Sequence, residues 1–162
     1  MAAVDYFLKI DGIDGESLDH KHAKEIEVQS WSWGESNAGS HGAGGGGGAG
    51  KVAMQDFHFT VNASKASPKL LLACATGEHI KKAKLTCRKA GKEQQEYLVI
   101  EFSDLLISSF QTGGSAGSSV LPMDQVSFNY TKIEYEYKPQ KADGTLDAGV
   151  KVGYDIKLNK KV

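Results

Sequence analysis

Val150, Val152, Tyr154, Ile156 and Leu158 alternate with Lys151, Gly153, Asp155, Lys157 and Asn159. Successive side chains of a strand point to opposite sides of the sheet, so this period-two pattern predicts a half-buried strand. The pattern recurs at Tyr6, Leu8 and Ile10, and again at Ala83, Leu85 and Cys87. Arg88-Lys89-Ala90-Gly91-Lys92 then predicts a hairpin turn. In the segment from Glu93 towards Phe110, Leu98, Ile100 and Phe102 share one face and Tyr97 and Val99 lie on the other, as in a strand covered on both sides.

Two segments change phase midway. Ile26 and Val28 are even-numbered, whereas Trp31 and Trp33 are odd; Val126, Phe128 and Tyr130 give way in the same manner to Ile133, Tyr135 and Tyr137. A β-bulge shifts the face and bends the strand, as a barrel requires. One helix is expected, from about Pro68 to Thr76, with Ser67 as its cap, Leu70 to Cys74 as its apolar run and Gly77 as its stop. The fold class is therefore mainly β, a compact antiparallel barrel or sandwich with one short helix, in a single domain over residues 1–162.

Ala38 to Gly50 reads AGSHGAGGGGGAG, and Gly113-Gly114-Ser115-Ala116-Gly117 forms a second cluster. Glycine brings no side chain to a core and loses the most backbone entropy on ordering, so both stretches are loops on a scaffold built by the rest. The chain has 162 residues, 19 of them glycine, but only three prolines. A balance of 19 basic and 20 acidic residues gives no net field to attract phosphate backbones or anionic lipid, so neither nucleic-acid binding nor stable membrane binding is expected. The N-terminus interleaves Asp5, Lys9 and Asp11 with apolar residues and does not read as a signal peptide. Cys74 and Cys87 are too few for a disulfide framework and fall on core faces as buried thiols; whether they pair is left open.

Several motifs carry chemistry in other proteins. Gly45 to Lys51 has the spacing G-x-x-x-x-G-K, but Val52 stands where a phosphate loop needs Ser or Thr, and Val52 to Val61 reads as a strand where a helix should begin. Gly113 to Gly117 matches G-x-S-x-G, but the residues after it read as loop, and nothing in the sequence places His79 or Asp104 beside Ser115. His20 and His22, with His41 as third candidate, look more like a solvated turn than a metal site. No catalytic residue, cofactor or metal is expected, and the chain does not read as an enzyme. Trp31 and Trp33 are expected as core anchors, which puts Ser30 and Ser32 on the opposite, wet face.

Taken in order, Asp5-Tyr6-Phe7-Leu8-Lys9-Ile10, Ser30-Trp31-Ser32-Trp33-Gly34, the glycine run ending Ala49-Gly50-Lys51, Phe57-His58-Phe59-Thr60 and Ser67-Pro68-Lys69-Leu70 are joined by Arg88-Lys89-Ala90-Gly91, Glu96-Tyr97-Leu98, Thr112-Gly113-Gly114-Ser115 and Tyr137-Lys138-Pro139-Gln140. In these motifs the whole chain closely resembles the haemolysin-coregulated protein (Hcp) family of bacterial type VI secretion systems. The resemblance implies a β-barrel with a flanking helix, assembled as a homo-hexameric ring with a wide channel. Rings stack head to tail into the inner tube of a contractile machine, surrounded by sheath components and tipped by a VgrG-type spike protein. Small effector proteins ride in the lumen, and the protein passes from the bacterial cytoplasm to the outside or into a target cell without a signal peptide. Ending at Val162, the chain looks like the plain structural form without a toxin domain.

On this reading the glycine-rich loop is expected to contact an adjacent ring, through Ser40, His41, Gly44, Gly46, Gly48, Gly50 and Lys51. Ser30 and Ser32 are the candidates for the channel wall. Edges or faces of the strands Glu93 to Phe110 and Met123 to Lys138 are expected to close the ring through heterologous contacts. The alternatives are a monomeric β-sandwich module binding a ligand such as a carbohydrate, and a nucleotide-binding protein using Gly45 to Lys51.

Overall fold

In the computed structural model, which describes residues 4–38, 52–90, 93–117 and 120–162, the alternating segments are strands. They are β1 (Val4–Ile10), β2 (Ile26–Glu27), β3 (Ser30–Ser32), β4 (Glu35–Asn37), β5 (Val52–Met54), β6 (Phe57–Asn62), β7 (Ile80–Lys89), β8 (Gln95–Gly113), β9 (Met123–Tyr137), β10 (Val150–Asp155) and β11 (Lys160–Lys161), with one helix, α1 (Ala66–Thr76). β2 pairs with β1, β1 with β7, β7 with β8, β8 with β9, β9 with β6 and β6 with β3, all antiparallel. The run from Ile26 to Ser32 closes the circle. Val28 donates its N–H to the Tyr6 carbonyl at 2.9 Å, and the next residue, Gln29, donates to Thr60 at 2.8 Å. One run of chain thus serves first β1 and then β6, and the sheet becomes a barrel.

That exchange of partner explains the first change of phase. The second has the same cause. Residues 123–128 of β9 pair with β6, whereas residues 132–137 pair with β10. Its neighbour β8 changes phase at the same level, from buried Ile100 and Phe102 to buried Leu105 and Ile107. Asp104, between the two sets, has a φ of 51°, in the left-handed region. The expected bulge is not there: Ser103 faces Lys132 and Leu105 faces Tyr130, so the β8–β9 register is the same on both sides of the bend. Both strands bend together without an inserted residue. Register shifts lie elsewhere, between Ile107 and Ser109 of β8 and between Cys87 and Arg88 of β7.

The core fills the barrel. Phe57, Phe59, Phe102 and Phe128 are all but fully buried, and the Phe57 ring lies 5.0 Å from Phe102 and 5.1 Å from Phe128. Each such ring contributes about 1.5–3 kcal/mol through burial alone. Helix α1 adds Ala66, Leu70 and Ala73 to the same core, leaving Leu71 and Leu72 in solvent. It begins two residues before Pro68, and Ser67 does not cap it. Instead Ser67 accepts the Ser64 N–H at 3.0 Å and donates its hydroxyl to buried Asp124 of β9. Gly77, at φ 64°, ends the helix in the left-handed conformation that glycine adopts without a Cβ penalty.

Three further segments depart from expectation. Val52 to Val61 is two strands, because Gln55 and Asp56 break the run opposite Gly34, whose carbonyl accepts the Gln55 N–H at 3.0 Å. The alternation from Val150 stops at Asp155; Leu158 donates its N–H to the Asp155 carboxylate at 2.8 Å, and residues 156–159 turn the chain into β11. Arg88 and Lys89 belong to β7 and are not turn residues, and Arg88 is only 2% exposed. Gly91 and Lys92 lie outside the described residues.

Candidate assembly surfaces

The half of the barrel made by β3, β6, β9 and β8 has one face in the core. Its other face is a set of cross-strand rungs fixed by register. Ser32 faces His58, His58 faces Ser127, and Ser127 faces Ser109. One rung along, Ser30 faces Thr60, Thr60 faces Gln125, and Gln125 faces Gln111. Directly opposite residues share a face; Ser127 is buried, and the other seven side chains form one surface with no Lys, Arg, Asp or Glu among them. Ser30 and Thr60 join their hydroxyls at 2.6 Å, and Ser109 and Ser127 join theirs at 2.5 Å. Ser30 and Ser32 are exposed, with half-buried Trp31 between them packed against the core.

Neither edge of this half pairs with a further strand of the described chain, although helix α1 packs against β8. Among the described residues, β3 pairs only with β6, and residues 106–113 of β8 pair only with β9. Unpaired backbone N–H and C=O groups along a strand are a template for another strand.

The other half has an uncovered apolar face. Val150 lies opposite Tyr137 and Val152 opposite Tyr135, continuing the face that Ile133 and Tyr154 turn to the core. Val150 is 68% and Val152 64% exposed. The period-two pattern is real here, but no part of the described chain covers it. Beside it runs a cleft of about 950 Å³ whose walls include Trp31, Trp33, Met54, Tyr135, Val152 and Tyr154.

β4 and β5 form a separate two-stranded arm that leads into the glycine run. The arm joins the barrel at Trp33, whose indole N–H donates to the Tyr130 hydroxyl; that hydroxyl donates to the Gln55 carbonyl at 3.1 Å. Burial pushes the Tyr130 phenol up to about 12. The residues expected to touch a neighbouring ring, Ser40, His41, Gly44, Gly46, Gly48, Gly50 and Lys51, lie outside the described residues.

The remaining candidates do not gather into a reactive centre. Among the described residues no group of three or more His, Cys, Asp or Glu side chains is placed to hold a metal ion. His22 is not in a solvated turn; it is buried, with Nδ1 2.5 Å from Glu25 and Nε2 2.7 Å from Glu96. Arg88 donates from Nη2 to Asp5 at 3.1 Å and to Asp19 at 2.8 Å. Sequence reasoning missed both because Glu96, Asp5 and Asp19 lie 69 to 83 residues from the side chains they pair with. The local signals were Glu25, three residues after His22, and an Arg directly after the alternating strand residues. Ser115 is exposed, and His79 pairs with Asp104 at 3.4 Å. Cys74 and Cys87 are both free, and burial pushes the Cys87 thiol up to about 12, so it is an inert core group.

An unpaired β3 edge, an exposed apolar sheet face and a separate two-stranded arm mark this barrel as an assembly module. Residues 7–137 match the family described as type VI secretion system effector, Hcp, and the chain belongs to that family. It is 52% identical over 159 residues to Protein hcp1 of Pseudomonas aeruginosa, covering 97% of this chain and 98% of that protein. Among solved structures it resembles Hcp1 from Salmonella typhimurium, with 36% identity, a TM-score of 0.80 and coverage of 99% of this chain and 100% of that one. A structure described as a type six secretion system protein superposes with a TM-score of 0.93 at 31% identity, over 99% of this chain and all of the other. The chain is accordingly a type VI secretion tube protein with the mainly β fold of its family.

Proposed function

We propose that six copies of this chain close into a ring whose channel is lined by the uncharged face of β3, β6, β9 and β8, and that such rings stack into the tube. The rungs Ser32–His58–Ser127–Ser109 and Ser30–Thr60–Gln125–Gln111 carry this reading. A channel through which unrelated proteins slide must stay wet without gripping them. Small hydroxyl and amide groups do that, whereas a charged lining would hold any cargo of opposite sign. Ser30 and Ser32 thus face the lumen together with Thr60, Gln111 and Gln125.

Ring closure is heterologous. The open edge of β3 in one copy meets the β8 side of the next, where helix α1 packs, and the apolar face at Tyr135 and Val152 is covered in the same step. The β4–β5 arm carries the glycine run to the adjacent ring. Small effectors occupy the lumen, a spike protein sits at the end of the tube, sheath components surround it, and the type VI machine carries the protein out of the bacterial cytoplasm.

Light scattering combined with negative-stain imaging of the purified protein tests the assembly. Six-fold rings, several-fold larger than the 17.4 kDa chain, are expected. A monodisperse monomer at high concentration would overturn the reading in favour of a monomeric binding module. For the lumen, Ser32→Cys carrying a bulky thiol label, in a Cys74→Ser background, should leave rings intact and reduce effector retention; unchanged retention removes Ser32 from the channel wall.

A further inference from the structure

The segment from Gly15 to Glu25 is a loop folded on itself, with Gly15 N–H donating to Lys24 at 2.7 Å, Lys24 N–H to Ser17 at 2.9 Å and Ser17 N–H to Glu25 at 3.1 Å. Two side chains fasten it to the barrel. Asp19 accepts from Arg88 of β7, and His22 lies flat on Phe7 of β1, ring centroids 4.4 Å apart and planes at 6°. The charged groups around His22 are Asp19, His20, Lys21, Lys24 and Glu25 of its own loop, Asp5 of β1, Arg88 of β7 and Glu96 of β8. Arg88 spends its one paired nitrogen on Asp5 and Asp19. Glu25 and Glu96 are left to His22, one at each ring nitrogen.

A neutral imidazole has one N–H and one lone pair, so it can satisfy only one of two carboxylates and turns a lone pair towards the other. Both contacts are attractive only when the ring is an imidazolium. We propose that His22 is a charge-dependent latch: as imidazolium it bridges Glu25 and Glu96 and holds the 20–25 segment against the start of β8, and on losing its proton it releases one of them. The latch is closed while both ring nitrogens carry protons and loosens when one of them is lost. The second fastening does not follow it, because the Arg88 hydrogen bond holds the Asp19 carboxyl well below the usual carboxylate range. Opening is therefore local to the part of the loop beyond Asp19, and the barrel stays folded.

Hydrogen–deuterium exchange on the whole protein from about pH 5 to about pH 8, corrected for intrinsic exchange chemistry, tests this. Protection of amides 20–25 should fall roughly tenfold relative to amides of β8, the scale of one charge-assisted hydrogen bond. Glu96→Gln should flatten the dependence, because an amide can donate to the neutral ring nitrogen as well as accept from the charged one. Protection that is constant in the wild type, or that falls as steeply in Glu96→Gln, overturns the latch. Should Glu96→Gln fold poorly, nitrogen NMR of the wild-type His22 ring decides. Two ring protons while the loop is protected support the latch, and a single proton in that state overturns it.

Discussion

Arg88 and Asp19 meet at 2.8 Å across 69 residues of chain, and the guanidinium carbon also lies 4.7 Å from the centre of the Phe7 ring. Its Nε and Nη1 have no hydrogen-bond partner, so the whole charge of a side chain only 2% exposed is compensated through Nη2. Removing Asp19 leaves Arg88 with Asp5 as its one carboxylate partner. Asp19→Ala is expected to lower stability by about 1.5–3 kcal/mol, the scale of a hydrogen bond between charged groups, read as a lower urea midpoint at unchanged slope.

The same pair sets an acid dependence. The Asp19 carboxyl is held low by the Arg88 hydrogen bond, so the folded state keeps it ionised where the unfolded chain has begun to bind a proton. Its contribution is present above the ordinary carboxylate value of about 3.9 and lost as pH falls towards the depressed folded value. The stability gap between wild type and Asp19→Ala should be constant near neutrality and close only in strong acid. A gap already closing above about pH 5 would contradict this assignment.

Tyr130 anchors the arm at its root. Tyr130→Phe removes an acceptor for Trp33 and a donor to Gln55, at an expected cost of about 1–2 kcal/mol by chemical denaturation. Burial raises both Tyr97 and Tyr130 to about 12. The unfolded chain ionises its tyrosines near about 10, so stability should fall as pH climbs from there towards 12. Ultraviolet titration should show phenol absorbance still developing close to 12.

Gly15 has no room for a side chain. A Cβ there would stand 2.5 Å from the Glu25 carbonyl oxygen and 2.7 Å from the Ile26 Cα, both backbone atoms that cannot rotate away. Gly15→Ala is expected to cost about 1–3 kcal/mol, with faster amide exchange in the loop; an unchanged melting temperature would show that the loop shifts freely.

Val152 tests the uncovered face. At 64% exposed it contributes little to the isolated barrel, so Val152→Asp should leave stability within about 0.5 kcal/mol. A charge buried between copies is costly, so the ring fraction seen by size-exclusion chromatography should drop sharply. Rings formed at wild-type abundance would remove this face from the interface.

Much of the barrel was legible in the sequence because its strands declare their faces by parity. Both changes of parity were visible as well, at Val28 and at Tyr130. Their cause was not, because parity records which side a residue faces and not which strand lies beside it; both mark a strand leaving one neighbour for another. Val150 and Val152 fail in a complementary way, since alternation marks a face as apolar without saying what covers it. His22 and Arg88 looked like solvated residues because their neighbours in sequence are polar, and their burial is decided by Glu96, Asp5 and Phe7 on other strands. The opposite placement of Ser30 and Trp31 was readable from two adjacent letters. The rungs that extend Ser30 to Gln111 needed the register.

The unpaired edge of β3 also has a consequence for how much of this protein a cell can safely hold. An unfilled row of backbone donors and acceptors accepts any extended chain, not only the correct one. A lone copy is therefore hazardous in proportion to its lifetime, and encounter with another copy shortens that lifetime as concentration rises. Abundance becomes protective: scarce synthesis leaves solitary copies prone to mispairing or proteolysis, whereas a burst of expression carries the population quickly through the vulnerable stage.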